Sequence, residues 1–128
     1  MKRIIQRLAM VVAMIVTALS ANAYEIDGIS YTTVSYSEKT VSVCEVSSDL
    51  TSCIIPQNIK WGGETFTVIS IDGGAFNRGY SLTDIVIPQT VTTIYASISN
   101  CASLTNLTVD KNNPNYCTKD NVLYNKDK

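Results

Sequence analysis

The sequence contains no histidine, and this absence excludes several kinds of chemistry. Without an imidazole the chain lacks the usual general base, the Ser-His and Cys-His nucleophile pairs and every histidine metal ligand. The four cysteines form no paired CxxC motifs, so a zinc site is disfavoured as well. We therefore expect a non-catalytic protein that holds no metal and no cofactor.

An excess of positive charge is also missing. The 128 residues carry 10 Lys and Arg against 11 Asp and Glu, and the formal net charge is −1. A mildly acidic chain without a basic run is a poor phosphate binder, so a nucleic acid partner is disfavoured. The length corresponds to a single domain.

The apolar run near the N-terminus is too short to cross a membrane. It extends from Leu8 to Leu19, 12 residues, whereas a transmembrane helix needs about 20. Three bases precede the run: Lys2, Arg3 and Arg7. The small residues Ala21-Asn22-Ala23 follow it, which completes the three parts of a secretory signal. We predict that residues 1–23 are a signal peptide cleaved before Tyr24, so that the mature protein is exported, without a membrane span, to the cell surface or the medium.

Export would carry all four cysteines into an oxidising compartment, where disulfides form. The candidates are Cys44, Cys53, Cys101 and Cys117, and four cysteines allow three pairings. Cys44 and Cys53 flank the polar stretch Glu45–Ser52, a predicted hairpin loop, and a bridge closing it would add about 2–3 kcal/mol. Buried thiols that act as small apolar side chains are the alternative. The sequence leaves both interpretations open.

The second half of the chain repeats itself with a period in the low twenties. Leu82–Ile87 recurs 22 residues later as Leu104–Val109. Ile55–Ile59 recurs as Ile87–Val91 at the longer offset of 32, because an insertion carrying Trp61-Gly62-Gly63 lies between them. Such a period, with apolar residues at LxxIxI spacing, is typical of leucine-rich solenoids.

The apolar spacing predicts which side chains face the core. On a short strand Leu82, Ile85 and Ile87 turn inward while Asp84 and Val86 turn outward. Each coil buries little apolar surface alone, so neighbouring coils must stack to form a continuous core. We predict a mostly β fold, a short leucine-rich-repeat β-solenoid with 22–23 residues per coil. An ordinary antiparallel sandwich is the alternative.

The repeat resembles that of the BspA-like leucine-rich repeat family of bacterial surface proteins, LxxIxIPxxVxxIGxxAFxxCxxLxxI. Leu82–Ile94 follows this pattern, together with Asn100–Leu104, and Ile71–Phe76 matches the IGxxAF element. The resemblance is strong over residues 54–128, a predicted array of two to three coils. It is weaker over residues 24–53, which resemble the N-terminal β-hairpin or meander found before such arrays.

The chain departs from this family pattern at several positions. Tyr95 replaces a glycine, and Asn121 replaces the glycine that commonly precedes Val122. Cys117 stands where serine is common, which makes a bridge to Cys101 a further candidate. No capping repeat is recognisable before the end of the sequence, and solenoid ends need caps. We therefore expect a short or truncated member of the family with an exposed or frayed last coil.

The segment Asp110–Asn115 has oxygen ligands spaced somewhat like those of a calcium loop. It lacks the glycine at position six, and Asn121 stands where the closing glutamate belongs. The turn-forming chemistry of Asn, Asp and Pro explains the segment better. No calcium site is predicted.

The resemblance implies an exported, non-catalytic protein-interaction module for cell-surface adhesion or for binding a host, matrix or envelope protein. Solenoids bind partners on the outward face of their sheets. The candidate binding residues are Thr83, Asp84, Val86, Thr105, Asn106 and Thr108. A glycan-binding envelope protein and a partial repeat protein without activity of its own are the alternatives. A carboxylate hydrolase would require two acids, for which Asp72 and Asp84 are the natural candidates, to converge in a cleft.

Overall fold

The computed structural model describes residues 23–96 and 98–126. The predicted signal peptide lies outside these residues, apart from Ala23, which begins the first strand. Within the described ranges, no helix is long and apolar enough to span a membrane.

Every regular element in the described part of the chain is a β-strand. Short polar and glycine-containing turns separate the strands, as expected for a chain in which apolar residues alternate over only a few positions. The strands are β1 (Ala23–Ile26), β2 (Ile29–Ser35), β3 (Thr40–Val46), β4 (Ser52–Ile54), β5 (Asn58–Trp61), β6 (Glu64–Ile71), β7 (Asp84–Ile87), β8 (Thr93–Ile94), β9 (Asn106–Val109), β10 (Tyr116–Lys119) and β11 (Val122–Asn125).

Two stacks of parallel strands form the sides of a solenoid. In the three-stranded sheet, β7 lies between β4 and β9, and Cys53, Ile85 and Leu107 stand in register. In the larger sheet β6 pairs in parallel with β3 and with β8, where Ser70 stands opposite Thr93. Partners in register are therefore 22 or 23 residues apart within the repeat. The predicted mostly β, leucine-rich-repeat fold is confirmed.

The N-terminal segment is an antiparallel meander that continues the larger sheet. β1 pairs with β2 and β2 with β3, and β3 then pairs in parallel with β6 of the array. β5 and β6 form a hairpin across Gly62 and Gly63, whose φ angles are +59° and +81°. These positive φ angles explain why glycine occupies both turn positions.

The inward and outward assignments of the repeat hold in the structure. Leu82, Ile85 and Ile87 are buried, while Asp84 and Val86 between them are partly exposed. The core extends through the coils and into the meander, where it includes Tyr31 and other fully buried side chains. One continuous core therefore stabilises the meander and the array together.

The end of the array is covered, contrary to the expectation of an exposed last coil. Leu107 and Val109 of β9 are buried. The hairpin of β10 and β11 follows, and its Tyr116 and Leu123 pack against the core. Both buried residues of β9 are thus shielded from water.

Gly79 lies in the bend between β6 and β7, where the next coil leaves no room for a side chain. A Cβ atom at this position would lie 2.8 Å from Leu82 Cδ1, 3.1 Å from Cys101 Sγ and 3.2 Å from the Phe76 carbonyl oxygen. Cys101 occupies the equivalent bend one coil later, 22 residues on. The glycine is therefore required for close packing between two neighbouring bends.

Replacing Gly79 with alanine is expected to lower the free energy of unfolding by about 1–3 kcal/mol, because the added methyl overpacks the bend. Gly74→Ala is the matched control, since its Cβ would meet only Asn77 Nδ2, at 3.4 Å. We expect the control to stay within about 0.5 kcal/mol of the wild type. Urea unfolding monitored by circular dichroism measures both, and equal midpoints for the two variants would contradict this packing.

All four cysteines are free thiols in the structure. Cys53 and Cys101 are buried, whereas Cys44 and Cys117 are partly exposed. Burial raises the pKa of Cys53 to about 12, with a smaller contribution from Cys101, and raises the pKa of Cys44 to about 11. Burial also raises the pKa of Cys101. At neutral pH these three thiols are protonated and pack as small apolar side chains, in accord with the second of the two interpretations that the sequence left open.

Candidate binding face

The outward side of the three-stranded sheet carries two rows of side chains that cross β4, β7 and β9, and we call this surface the outer face. The row of polar side chains contains Ser52, Asp84 and Asn106. The second row contains Ile54, Val86 and Thr108. Ile54 is 65% exposed although it is a large apolar residue. The outer face therefore places an accessible apolar row beside a polar one.

The structure brings four of the six predicted binding residues together on this face: Asp84, Val86, Asn106 and Thr108. Thr83 and Thr105 immediately precede β7 and β9. Their hydroxyl groups bond to the neighbouring coil, with Thr83 Oγ1 donating to the Thr51 carbonyl and Thr105 Oγ1 to the Thr83 carbonyl, both at 3.1 Å. These two threonines therefore hold the coils together at the edge of the face.

Asp84 has a fixed position at the centre of the polar row. Its Oδ1 accepts a hydrogen bond from Asn106 Nδ2 and its Oδ2 accepts one from Thr83 Oγ1, each at 2.8 Å. A carboxylate offers about four lone-pair directions, so acceptor capacity remains for a partner. The arrangement presents one oriented negative group that needs little further ordering on binding.

Sequence reasoning missed Ser52 and Ile54, which complete the two rows on β4. The signal for them was the match between Ile55–Ile59 and Ile87–Val91 at an offset of 32. Continued backwards, that offset places residue 54 beside residue 86 and residue 52 beside residue 84. The observed register is the same.

The carboxylates do not form a catalytic or metal-binding group. Asp72, at the end of β6, accepts a hydrogen bond from Ser42 Oγ at 2.5 Å, whereas Asp84 bonds to Asn106 on the other sheet. Across the residues that the structure describes, no group of three Cys, Asp or Glu side chains is arranged to hold a metal ion. The two acids considered for a hydrolase thus have separate neighbours.

The aromatic side chains near the N-terminal sheet pack mainly on one another. Tyr24 and Trp61 stack with ring centroids 4.5 Å apart, and Tyr24 is buried. Tyr36 is exposed, but its ring lies edge-on to Phe66 and 4.5 Å from Lys39 Nζ. Lys39 in turn pairs with Glu64 at 2.8 Å. These contacts stabilise the sheet and do not build a broad aromatic platform for a sugar ring.

Solved structures of leucine-rich repeat proteins share this fold. A leucine-rich cell surface protein from Faecalibacterium prausnitzii has a TM-score of 0.58 and 28% identity over 74% of this chain. A leucine-rich repeat protein from Bacteroides ovatus has a TM-score of 0.59 and 26% identity over 70% of the chain. A third such protein, from Bacteroides capillosus, has a TM-score of 0.58 over 70% of the chain, and its 17% identity shows the fold alone. No family model and no curated protein matches the chain.

The fold, the repeat and these similarities define the chain as a leucine-rich repeat protein. Its neighbours from gut bacteria confirm the resemblance to the BspA-like family. The chain spans 25% of the length of the F. prausnitzii protein, 24% of the B. ovatus protein and 66% of the B. capillosus protein.

Proposed function

We propose that the protein is an exported, non-catalytic module that binds another protein through its outer face. The observation that carries this proposal is the oriented Asp84 carboxylate beside the exposed apolar row that begins at Ile54. The description of the F. prausnitzii neighbour as a cell surface protein supports export to the surface, as does the secretory pattern of residues 1–23.

The chemistry of the face indicates the kind of partner. Asp84 and Asn106 offer hydrogen-bond acceptors and one negative charge, so a complementary surface brings a basic or N–H donor group to the polar row. Ile54 and Val86 offer apolar contact one row away. Because the parallel strands hold these groups in fixed positions, binding costs little conformational entropy. A protein surface that pairs a basic side chain with an apolar one fits both rows.

The proposal is tested by removing the polar row and measuring binding. The purified protein is screened by biolayer interferometry against extracellular-matrix proteins and a glycan panel. We expect saturable binding to a protein, weakened about tenfold or more in the Asp84→Ala/Asn106→Ala double variant, since the loss of a charged contact in an interface costs about 2 kcal/mol.

The control is the Asp49→Ala/Asn112→Ala double variant, which removes the same two residue types from exposed positions outside the face. It should bind like the wild type. Circular dichroism establishes that both variants are folded. Binding that survives in the first variant, or that is lost equally in both, would contradict this site, and binding to glycans alone would replace the proposed function with the glycan alternative.

A further inference from the structure

The hairpin of β10 and β11 lies where a further coil of the solenoid would stack. The parallel strands β8 and β9 end the two stacks, and each has one edge that no further parallel strand covers. Open edges of this kind are templates for pairing with another chain. What the hairpin does to the backbone groups on those edges therefore decides whether the array can be extended.

On the three-stranded sheet, the side chain of Asn121 closes the edge of β9. Its Oδ1 accepts a hydrogen bond from the Leu107 N–H at 2.9 Å, and its Nδ2 donates to the Thr105 carbonyl at 2.7 Å. One coil earlier, the Thr83 carbonyl accepts the backbone N–H groups of Thr105 and Asn106. The Asn121 carboxamide thus takes the place of one backbone residue of a following strand.

On the larger sheet, two residues of the same segment close the edge of β8. Asn115 Nδ2 donates to the Thr92 carbonyl at 2.7 Å, and the Tyr116 hydroxyl accepts the Ile94 N–H at 2.9 Å. One coil earlier, backbone groups play this part, because the Ile69 carbonyl accepts the Thr92 N–H. Side chains therefore replace the next coil on both sheets.

The turn of the hairpin aims the Asn121 side chain at β9. Asp120 and Asn121 have φ angles of +52° and +62°, which are the left-handed values of a two-residue hairpin turn. Asp and Asn tolerate this conformation better than other side chains do. Asn121 therefore meets a backbone requirement and a hydrogen-bonding one at the same position.

We propose that this hairpin prevents self-association by occupying the edges to which a second copy of the chain would add its β4. β4 lies at the opposite edge of the same sheet. The Ile55 N–H bonds to Val86 of β7, and successive N–H groups on a strand point to opposite sides, so the N–H of Ile54 points away from β7. A head-to-tail contact of β4 with β9 does not close on itself and would build a filament.

The test is Asn121→Gly, which deletes the carboxamide while glycine keeps the positive φ without strain. Sedimentation velocity is run on the purified protein over a range of concentrations. The wild type should sediment as a monomer. The variant should show a weight-average mass that rises with concentration, about twofold or more at the highest concentration, because the smallest head-to-tail assembly is a dimer.

Two further variants make the result specific. Ile54→Pro removes the outward N–H of β4, which proline tolerates at a strand edge, and the Asn121→Gly/Ile54→Pro double variant should return to a monomer. Asn112→Ala, which removes an exposed amide from the same region, should stay monomeric. A monomeric Asn121→Gly variant, or association that Ile54→Pro leaves unchanged, would overturn the proposal. Circular dichroism and the thermal midpoint separate association of folded chains from unfolding, and association that occurs only on unfolding would also overturn it.

Discussion

Replacing Ile85 with aspartate is expected to unfold the protein. Ile85 has 0% exposure and stands at the centre of the three-stranded sheet, between Cys53 and Leu107. A carboxylate there would be buried with no charged partner, at a cost of several kcal/mol or more. Because a single domain is stable by only about 5–15 kcal/mol, and the apolar contacts of Ile85 are lost as well, we expect no cooperative thermal transition by circular dichroism.

The control for this change is the neighbouring residue on the same strand. Asp84 faces outward and is partly exposed, so Asp84→Ala should change the free energy of unfolding by only about 0.5 kcal/mol. Water can take over the bonds that Asn106 and Thr83 make to the carboxylate. Equal thermal midpoints for the two variants would contradict the inward and outward assignment of β7.

The second large effect is expected at Asn113, a polar residue with 0% exposure. Its Nδ2 donates to the carbonyls of Pro88 and Val91 at 3.0 and 2.8 Å. Its Oδ1 accepts the N–H groups of Asn115 and Tyr116, both at 2.9 Å. Asn113→Ala leaves four backbone groups without these partners, and each buried group left unpaired costs about 1–3 kcal/mol.

We therefore expect Asn113→Ala to lower the thermal midpoint by about 10 °C or more, given a shift of about 4–8 °C per kcal/mol for a domain of this size. Scanning calorimetry measures the midpoint. Asn112→Ala is the matched control, because Asn112 is exposed, and its midpoint should not change. Asn113→Asp keeps the acceptor but loses both N–H donors and brings a charge into the core, so it should be at least as damaging as alanine. A midpoint for Asn113→Ala equal to that of Asn112→Ala would contradict this role.

The interpretation of Asp110–Asn115 shows where sequence reasoning was correct and where it stopped. Turn chemistry is present, since the Asn112 N–H donates to Asp110 Oδ1 at 2.8 Å. The larger role of the segment is different, because Asn113 joins the turn to the preceding coil through Pro88 and Val91. The bonds from Asn113 span 22 and 25 residues, and no local pattern distinguishes this asparagine from its neighbours.

The candidate binding face was predictable in part for a similar reason. The alternation around Ile85 and Ile87 placed Asp84 and Val86 on the outside, and the next coil supplied Asn106 and Thr108. The outward residues of β4 follow from the offset of 32, but the insertion that carries Trp61 obscures it. The hydrogen bonds that orient Asp84 were not predictable, because they depend on rotamers and on the spacing between strands.

By itself, the sequence determined the period, the inward and outward alternation and hence the stacked-coil fold, because a side-chain period of two on a strand is a property of the local backbone. Asn121 was visible in the sequence only as a departure from the repeat pattern. Tertiary structure alone decided that its carboxamide, with Asn115 and Tyr116, closes the open edges of the two sheets. The physical reason is that a backbone group's need for a partner arises only after the coils have stacked, and the side chain that satisfies it comes from a distant part of the chain.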